Sequence, residues 1–174
     1  MYNTARMIGM LIGILFGLLV ALIIIRYINR NKKIATEYDE MQKKIRGEGY
    51  MYAFYTVMIY EALMCVLTTG IEIPAVPVVI HFFAIFIGVT VQACYCIWKG
   101  AYVGLNTNLK RYIVLMAIVS LFNLLTAYMS FREGELFADG KFQPTTVNLL
   151  CGLMFALIGA VGLVKKLTDR EDEA

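Results

Sequence analysis

Glu61 and Asn123 are the residues from which chemistry is first sought in this chain. Both lie in the middle of long apolar runs, Glu61 in GEGYMYAFYTVMIYEALMCVLTTG (47–70) and Asn123 in YIVLMAIVSLFNLLTAYMSF (112–131). A charged side chain within a bilayer is costly and as a rule faces a partner or a cavity. At ~1.5 Å rise per residue, Glu61 lies ~15 Å beyond Met51 and Asn123 at about the same height beyond Tyr112, near the middle of a ~30 Å hydrocarbon core. The amide can donate to the carboxyl, so a Glu61–Asn123 contact is expected. Two functional roles fit it: a proton-coupled transport site, or the polar anchor of a small-molecule pocket lined by Tyr60, Met64 and Phe122. A structural role, a carboxyl that holds two helices together, is the alternative. Interhelical hydrogen bonds average only ~0.6 kcal/mol, small against the cost of burying an acid, and this imbalance favours function.

Other reactive groups are sparse. His81 is the single histidine. It is placed with Cys151 on a shallower level, as an interfacial hydrogen-bonding or pH-responsive group. Of the four cysteines, Cys94 and Cys96 point to nearly opposite sides of a helix, and no histidine or carboxylate accompanies them. They are expected to be packing thiols. The chain contains no Gly-rich phosphate loop, no His-Glu-x-x-His and no Gly-x-Ser-x-Gly. The expectation is a non-enzymatic protein without metal or other cofactor, and without direct nucleic-acid binding.

The elements that position these residues are apolar spans. Of 174 residues, 60% are hydrophobic and 17% charged, against about 45–50% and about 25% in average soluble domains. The excess falls in five runs, at about 7–25, 51–69, 77–98, 112–131 and 147–164. The predicted fold class is all-α, a polytopic transmembrane helical bundle of five spans forming one membrane domain. The first run is longer than a signal-peptide core and is followed by basic residues, so it is read as a retained span. The segments 26–50, 99–111 and 165–174 carry seven, three and three of the 16 basic residues. The remainder hold only Arg6, Arg132 and Lys141. The positive-inside rule then places the N-terminus outside and the C-terminus in the cytoplasm, with the lipid bilayer of the cell inner (plasma) membrane as surroundings.

Three surfaces are candidates for packing or partners. Gly9, Gly13 and Gly17 form a small-residue face, and Gly152, Ala156 and Ala160 form another. The first suits a homodimer or a pairing with the second within one chain. Ile34, Tyr38, Met41 and Ile45 form a helical apolar stripe in the basic segment 26–49. That segment is expected to continue span 1 as a cytoplasmic stalk ending near Gly47 or Gly49, either lying on lipid headgroups or docking a cytoplasmic regulator. Local signals include Pro77 at a first helical turn, Asn108 as a helix cap, Thr145 or Thr146 as another, and Asp139-Gly140 as a two-residue hairpin turn.

The run Asp39-Glu40-Met41-Gln42, followed by Ile45-Arg46-Gly47 and by Tyr52, Phe54, Tyr55 and Thr56, resembles a group of small, uncharacterised multispan proteins of Gram-positive, Firmicutes-type bacteria. Tyr95-Cys96-Ile97-Trp98-Lys99, Ala101-Tyr102 and Asn148-Leu149-Leu150-Cys151-Gly152 are similar as well, so that the likeness covers most of residues 39–166. These proteins often accompany small helix-turn-helix regulators, and the resemblance implies a signalling partner and a shared bundle of spans 2–5. It carries over no site residues. Three functions therefore enter the structural description: a sensing or regulatory membrane component, a small proton-coupled transporter using Glu61, and a structural subunit of a membrane complex.

Overall fold

A computed structural model describes residues 8–9, 12–13, 15–20, 22–23, 26 and 37–172. The chain divides into two compact units at Glu37–Tyr38. In the first, every described residue from Ile8 to Arg26 is helical, and Gly9, Gly13 and Gly17 are exposed. Ile34 and the rest of the segment 27–36 lie outside the described residues.

The second unit consists of four helices and one hairpin. Helix α1 (Glu40–Gly70) starts at a capping box: Asp39 accepts from the Gln42 amide at 2.6 Å, and the Gln42 side chain accepts from the Asp39 amide. Two of the orphan N–H groups of the helix start are thereby satisfied. The structure departs from the sequence expectation here. Gly47 and Gly49 do not end a helix but lie inside α1, and neither has the left-handed backbone found at Gly100, Gly134 and Gly140. Gly49 serves close approach instead, since a Cβ there would meet Cys96 Sγ at 3.0 Å. The segment that precedes the aromatic cluster is thus the first third of a helix long and apolar enough to cross a membrane, and the helix starts ten residues earlier, after Asp39.

Helix α2 (Pro77–Trp98) begins with Pro77, where the missing N–H has no intrahelical partner to lose. Helix α3 (Leu109–Arg132) is capped by Asn108, which accepts from the Lys110 amide at 2.8 Å. Helix α4 (Thr146–Asp172) completes the unit. All four are long and apolar enough to cross a membrane. They pack in the order α1–α2–α4–α3, so α1 and α3 are the outer members. The core lies among the last three: Ala93 and Ile97 of α2, Met116 of α3, and Met154 and Ile158 of α4.

The α3–α4 seam is closed by small residues, though not by the predicted set. Gly152, Gly159 and Gly162 face Leu124, Met116 and Ile113, whereas Ala156 and Ala160 are exposed. A four-residue spacing drifts around a helix, while the spacing of seven from Gly152 to Gly159 stays on one side. Gly152 is therefore occupied by Leu124 and is not free for another span. Ser120 donates to the Gly152 carbonyl at 2.8 Å within this seam.

The Asp-Gly signal corresponds to a real hairpin. Strands β1 (Phe137–Ala138) and β2 (Lys141–Phe142) pair antiparallel, with Asp139 at φ 52° and Gly140 at φ 73°. Positive φ at both central residues is the requirement of a type I′ turn. Two strands alone are marginal. Here the hairpin is braced by the α1–α2 connection: Phe142 N–H donates to Pro74 O and Val76 N–H to Phe142 O. The threonines predicted to cap α4 donate backwards instead, Thr145 to Glu135 O and Thr146 to Leu136 O, fixing the hairpin to the helix start.

Candidate functional site

Antiparallel packing of α1 and α2 brings Glu61 level with His81. Nδ1 of His81 lies 3.1 Å from Oε1 of Glu61. The predicted Glu61–Asn123 contact is not formed. Asn123 donates back to Val119 O of its own helix at 2.8 Å. The physical reason is helix order, because α2 and α4 stand between α1 and α3, so equal depth does not bring the two side chains together. His81 is likewise parted from its expected neighbour: Cys151 packs against the core cluster. All four cysteines are free thiols. Among the described residues no group of three His, Cys, Asp or Glu side chains could hold a metal ion.

The two rims of the α1–α2 seam differ in chemistry. On one rim, the Glu61–His81 pair is open, with 64% of the His81 side chain exposed and 33% of that of Glu61. On the other, Tyr60 donates to Ile80 O at 3.3 Å and its ring lies 5.5 Å from that of Phe83. That second rim borders an open cavity of about 280 Å³ lined by α1, α2, α4 and the hairpin. Tyr60 and Met64 line it as expected; Phe122, predicted to line the same pocket, is exposed on α3. Phe142 of β2 and Ala75 of the connection close its end. A second cavity of about 220 Å³ continues along α2 and α4, and Phe83 and Leu150 border both.

At the opposite end of α1, side chains clamp the loop that follows α2. Gln42 Nε2 donates to Gly100 O at 3.0 Å and Val103 O at 3.3 Å. Arg46 Nη1 donates to Ala101 O and Tyr102 O at 3.4 and 3.3 Å, with its guanidinium 4.3 Å from the Tyr38 ring centre. The Tyr38 hydroxyl donates to Tyr102 O. The Tyr95 hydroxyl donates to Glu48 at 2.5 Å. Burial among these groups pushes the Tyr102 phenol above its ordinary value, with the neighbouring Tyr112 hydroxyl acting in the same sense. The clamp corrects the proposed docking stripe. Ile45 is buried and Tyr38 is engaged inside the chain, so of the described stripe only Met41 remains exposed.

Gln42 and Arg46, which the sequence marks only as part of a motif, carry the clamp. The available signal is a pair of long donors, Gln42 and Arg46, four apart on one helix face and eight and four residues before Tyr50. Taken together, these features define a helical protein with four helices long and apolar enough to cross a membrane, an apolar cavity near one end and a hydrogen-bonded loop at the other. No known protein family, curated protein or solved structure matches the chain.

Proposed function

We propose that this chain is a non-enzymatic integral membrane protein of a bacterial plasma membrane that senses a small molecule in its bundle and signals to a cytoplasmic partner. The orientation that accompanies this reading has the clamp end of α1 and α2 in the cytoplasm, because the basic segments flank that end, and the hairpin outside. The observation that carries it is the unbroken helix α1, which supplies Tyr60 and Met64 to the cavity and Gln42 and Arg46 to the clamp. The 22 residues from Gln42 to Met64 span ~33 Å, so a shift at the cavity is delivered to the loop by one rigid element. Met41, Trp98 and Leu105 are exposed around the clamp and form the surface a regulator would meet.

The test is hydrogen exchange on the full chain reconstituted in lipid vesicles, with and without an amphiphile that enters the cavity. Residues 100–104 are expected to change exchange rate together with the cavity segments. Protection confined to 73–83 and 142–150, with the loop unchanged, would remove the sensing role.

A second reading rests on the Glu61–His81 pair, in which one acid and one titratable base meet at 3.1 Å. It makes the protein a small proton-coupled transporter. Transport in proteoliposomes under a pH gradient should then collapse in Glu61→Gln. A Glu61→Gln protein with unchanged flux would leave the pair a structural clasp.

A further inference from the structure

The two cavities beside α2 adjoin at Phe83 and Leu150, which line both, and together make a trough whose wall contains no free hydrogen-bond donor. Three hydroxyl groups border it. Tyr60 donates to Ile80 O, Thr90 to Phe86 O at 2.7 Å, and Thr146 to Leu136 O at 3.2 Å. Each hydroxyl is thereby spent on a backbone carbonyl, and what faces the trough is ring and methyl carbon. A solute carrying hydrogen-bond acceptors would lose its water and find no donor there, a cost of roughly 1–3 kcal/mol per unmatched group. Hydrocarbon loses nothing.

The shape narrows the occupant further. Along α2 the lining runs from Val79 to Val91, ~18 Å of helix, with α4 residues 149–157 opposite. The trough is stopped at the hairpin end by Phe142 and by the backbone bonds that join β2 to Pro74 and Val76. At this stopped end a cation and an anion stand exposed side by side. Lys141, adjacent in sequence to Phe142, meets Glu72, adjacent to the lining residue Ile73, at 2.9 Å. A paired plus and minus charge complements a headgroup that carries both signs.

We propose that the trough binds a zwitterionic amphiphile, with one hydrocarbon chain along α2 and α4 between Val79 and Val91 and its headgroup over Glu72 and Lys141. This rests on the sensing reading only in identifying the cavity ligand; the site stands whether or not occupancy reaches the 100–104 loop. In a bilayer the arrangement has the head at the surface and the chain inward, the orientation of an ordinary lipid, and it distinguishes this groove from the open outer faces of α1 and α3.

The experiment uses the full chain in phosphatidylcholine vesicles containing a trace of a lysophosphatidylcholine with a photoactivatable group near its chain end. Adducts are mapped by mass spectrometry. They are expected to concentrate at Ile87, Leu153 and Leu157, and to fall about tenfold in Leu150→Trp, which fills the junction of the two cavities. Thr90→Phe, placed lower in the trough, provides a second block should Leu150→Trp fail to fold, and Leu121→Trp on the exposed face of α3 is expected to leave labelling unchanged. A photoactivatable fatty acid, which shares the chain but bears only negative charge, is expected to label the trough more weakly. Adducts spread evenly over Ile59, Leu121 and the trough, or a trough signal insensitive to both blocking variants, would overturn the site. Equal labelling by the fatty acid would overturn the zwitterion. Trough labelling without any change of exchange in residues 100–104 would leave the site standing and sink the sensing reading alone.

Discussion

The seam between α3 and α4 and the seam between α1 and α2 are built on opposite principles. The first is lined by glycine against aliphatic side chains, with a single buried hydroxyl contact from Ser120 to Gly152. The second has its own close approach, Gly88 against Val57 and the Ala53 carbonyl, but its specificity is polar: Glu61–His81 near one end, Glu48–Tyr95 and the Gln42–Arg46 clamp near the other. Burial follows the same division. No residue of the apolar window of α1 is buried, whereas 28% of the windows of α3 and α4 are. Close packing, with the one bond from Ser120, fixes α3 on α4, and with α2 they form a base around the shared core. Directional bonds at its two ends hold the fourth helix to that base, and such bonds can be exchanged one at a time. On the sensing reading proposed above, α1 is the element whose position a ligand or partner would bias.

Breaking the tight seam should have the largest effect. A Cβ at Gly152 would lie 2.8 Å from Leu124 Cδ2 and 3.2 Å from the Leu124 backbone nitrogen, which cannot yield as a side chain does. Gly152→Leu is expected to cost 3 kcal/mol or more, beyond the usual ~1–3 of overpacking. Cooperative thermal unfolding in detergent should be lost. Gly88→Leu comes next, because the nearest obstacle, Val57 Cγ2 at 2.6 Å, is the end of a side chain. Unfolding of the three-helix base should persist, while amides of α1 exchange faster. If both variants unfold the whole unit alike, the contrast between the seams fails.

Smaller effects sharpen the contrast. Arg46→Ala combined with Gln42→Ala removes the donors to four loop carbonyls, each bond worth ~0.5–1.5 kcal/mol net. Exchange at 100–104 should accelerate with little change in global melting, since Gly49 still packs on Cys96. The smallest effect belongs to the hairpin. The hydrogen bond from Lys141 holds the Glu72 carboxyl below the usual carboxylate value. Because the folded value is the lower one, the contribution is present above the unfolded value and lost as pH falls through the folded one. A carboxyl titration by NMR should move Glu72 back upward in Lys141→Ala. An unchanged Glu72 curve would mean that the pair is not formed in solution.

Much of the fold was legible because it follows from local rules. The run 77–98 was bounded by Pro77 and Trp98, and α2 has those ends. Asn108 and Asp139-Gly140 announced a cap and a turn through side-chain and backbone chemistry that needs no tertiary context. Three features were misread for a common reason. Glu61 and Asn123 were matched by depth, yet depth says nothing of which helices are neighbours. Ala156 and Ala160 were matched by spacing, yet Leu124 chooses the face of α4 on which Gly152 is used. In the stripe Tyr38–Ile45, Tyr38 bonds the loop after α2 and Ile45 is buried while Met41 is exposed, and a pattern of apolar residues does not name its partner. Gly47 and Gly49 looked like a helix end because glycine usually weakens a helix, by ~1 kcal/mol relative to alanine. The contact with Cys96 explains why one of them is tolerated within α1, while nothing approaches Gly47.

The central claim is that α1 is one continuous helix from clamp to cavity. Hydrogen exchange of the backbone amides from Arg46 to Tyr52, in the full chain reconstituted in lipid, tests it directly. The account predicts that these amides are protected as part of one helix, with Gly47 and Gly49 no faster than their neighbours. A burst of rapid exchange at Gly47–Gly49, with protected residues on either side, would reveal a hinge between two short helices and contradict it.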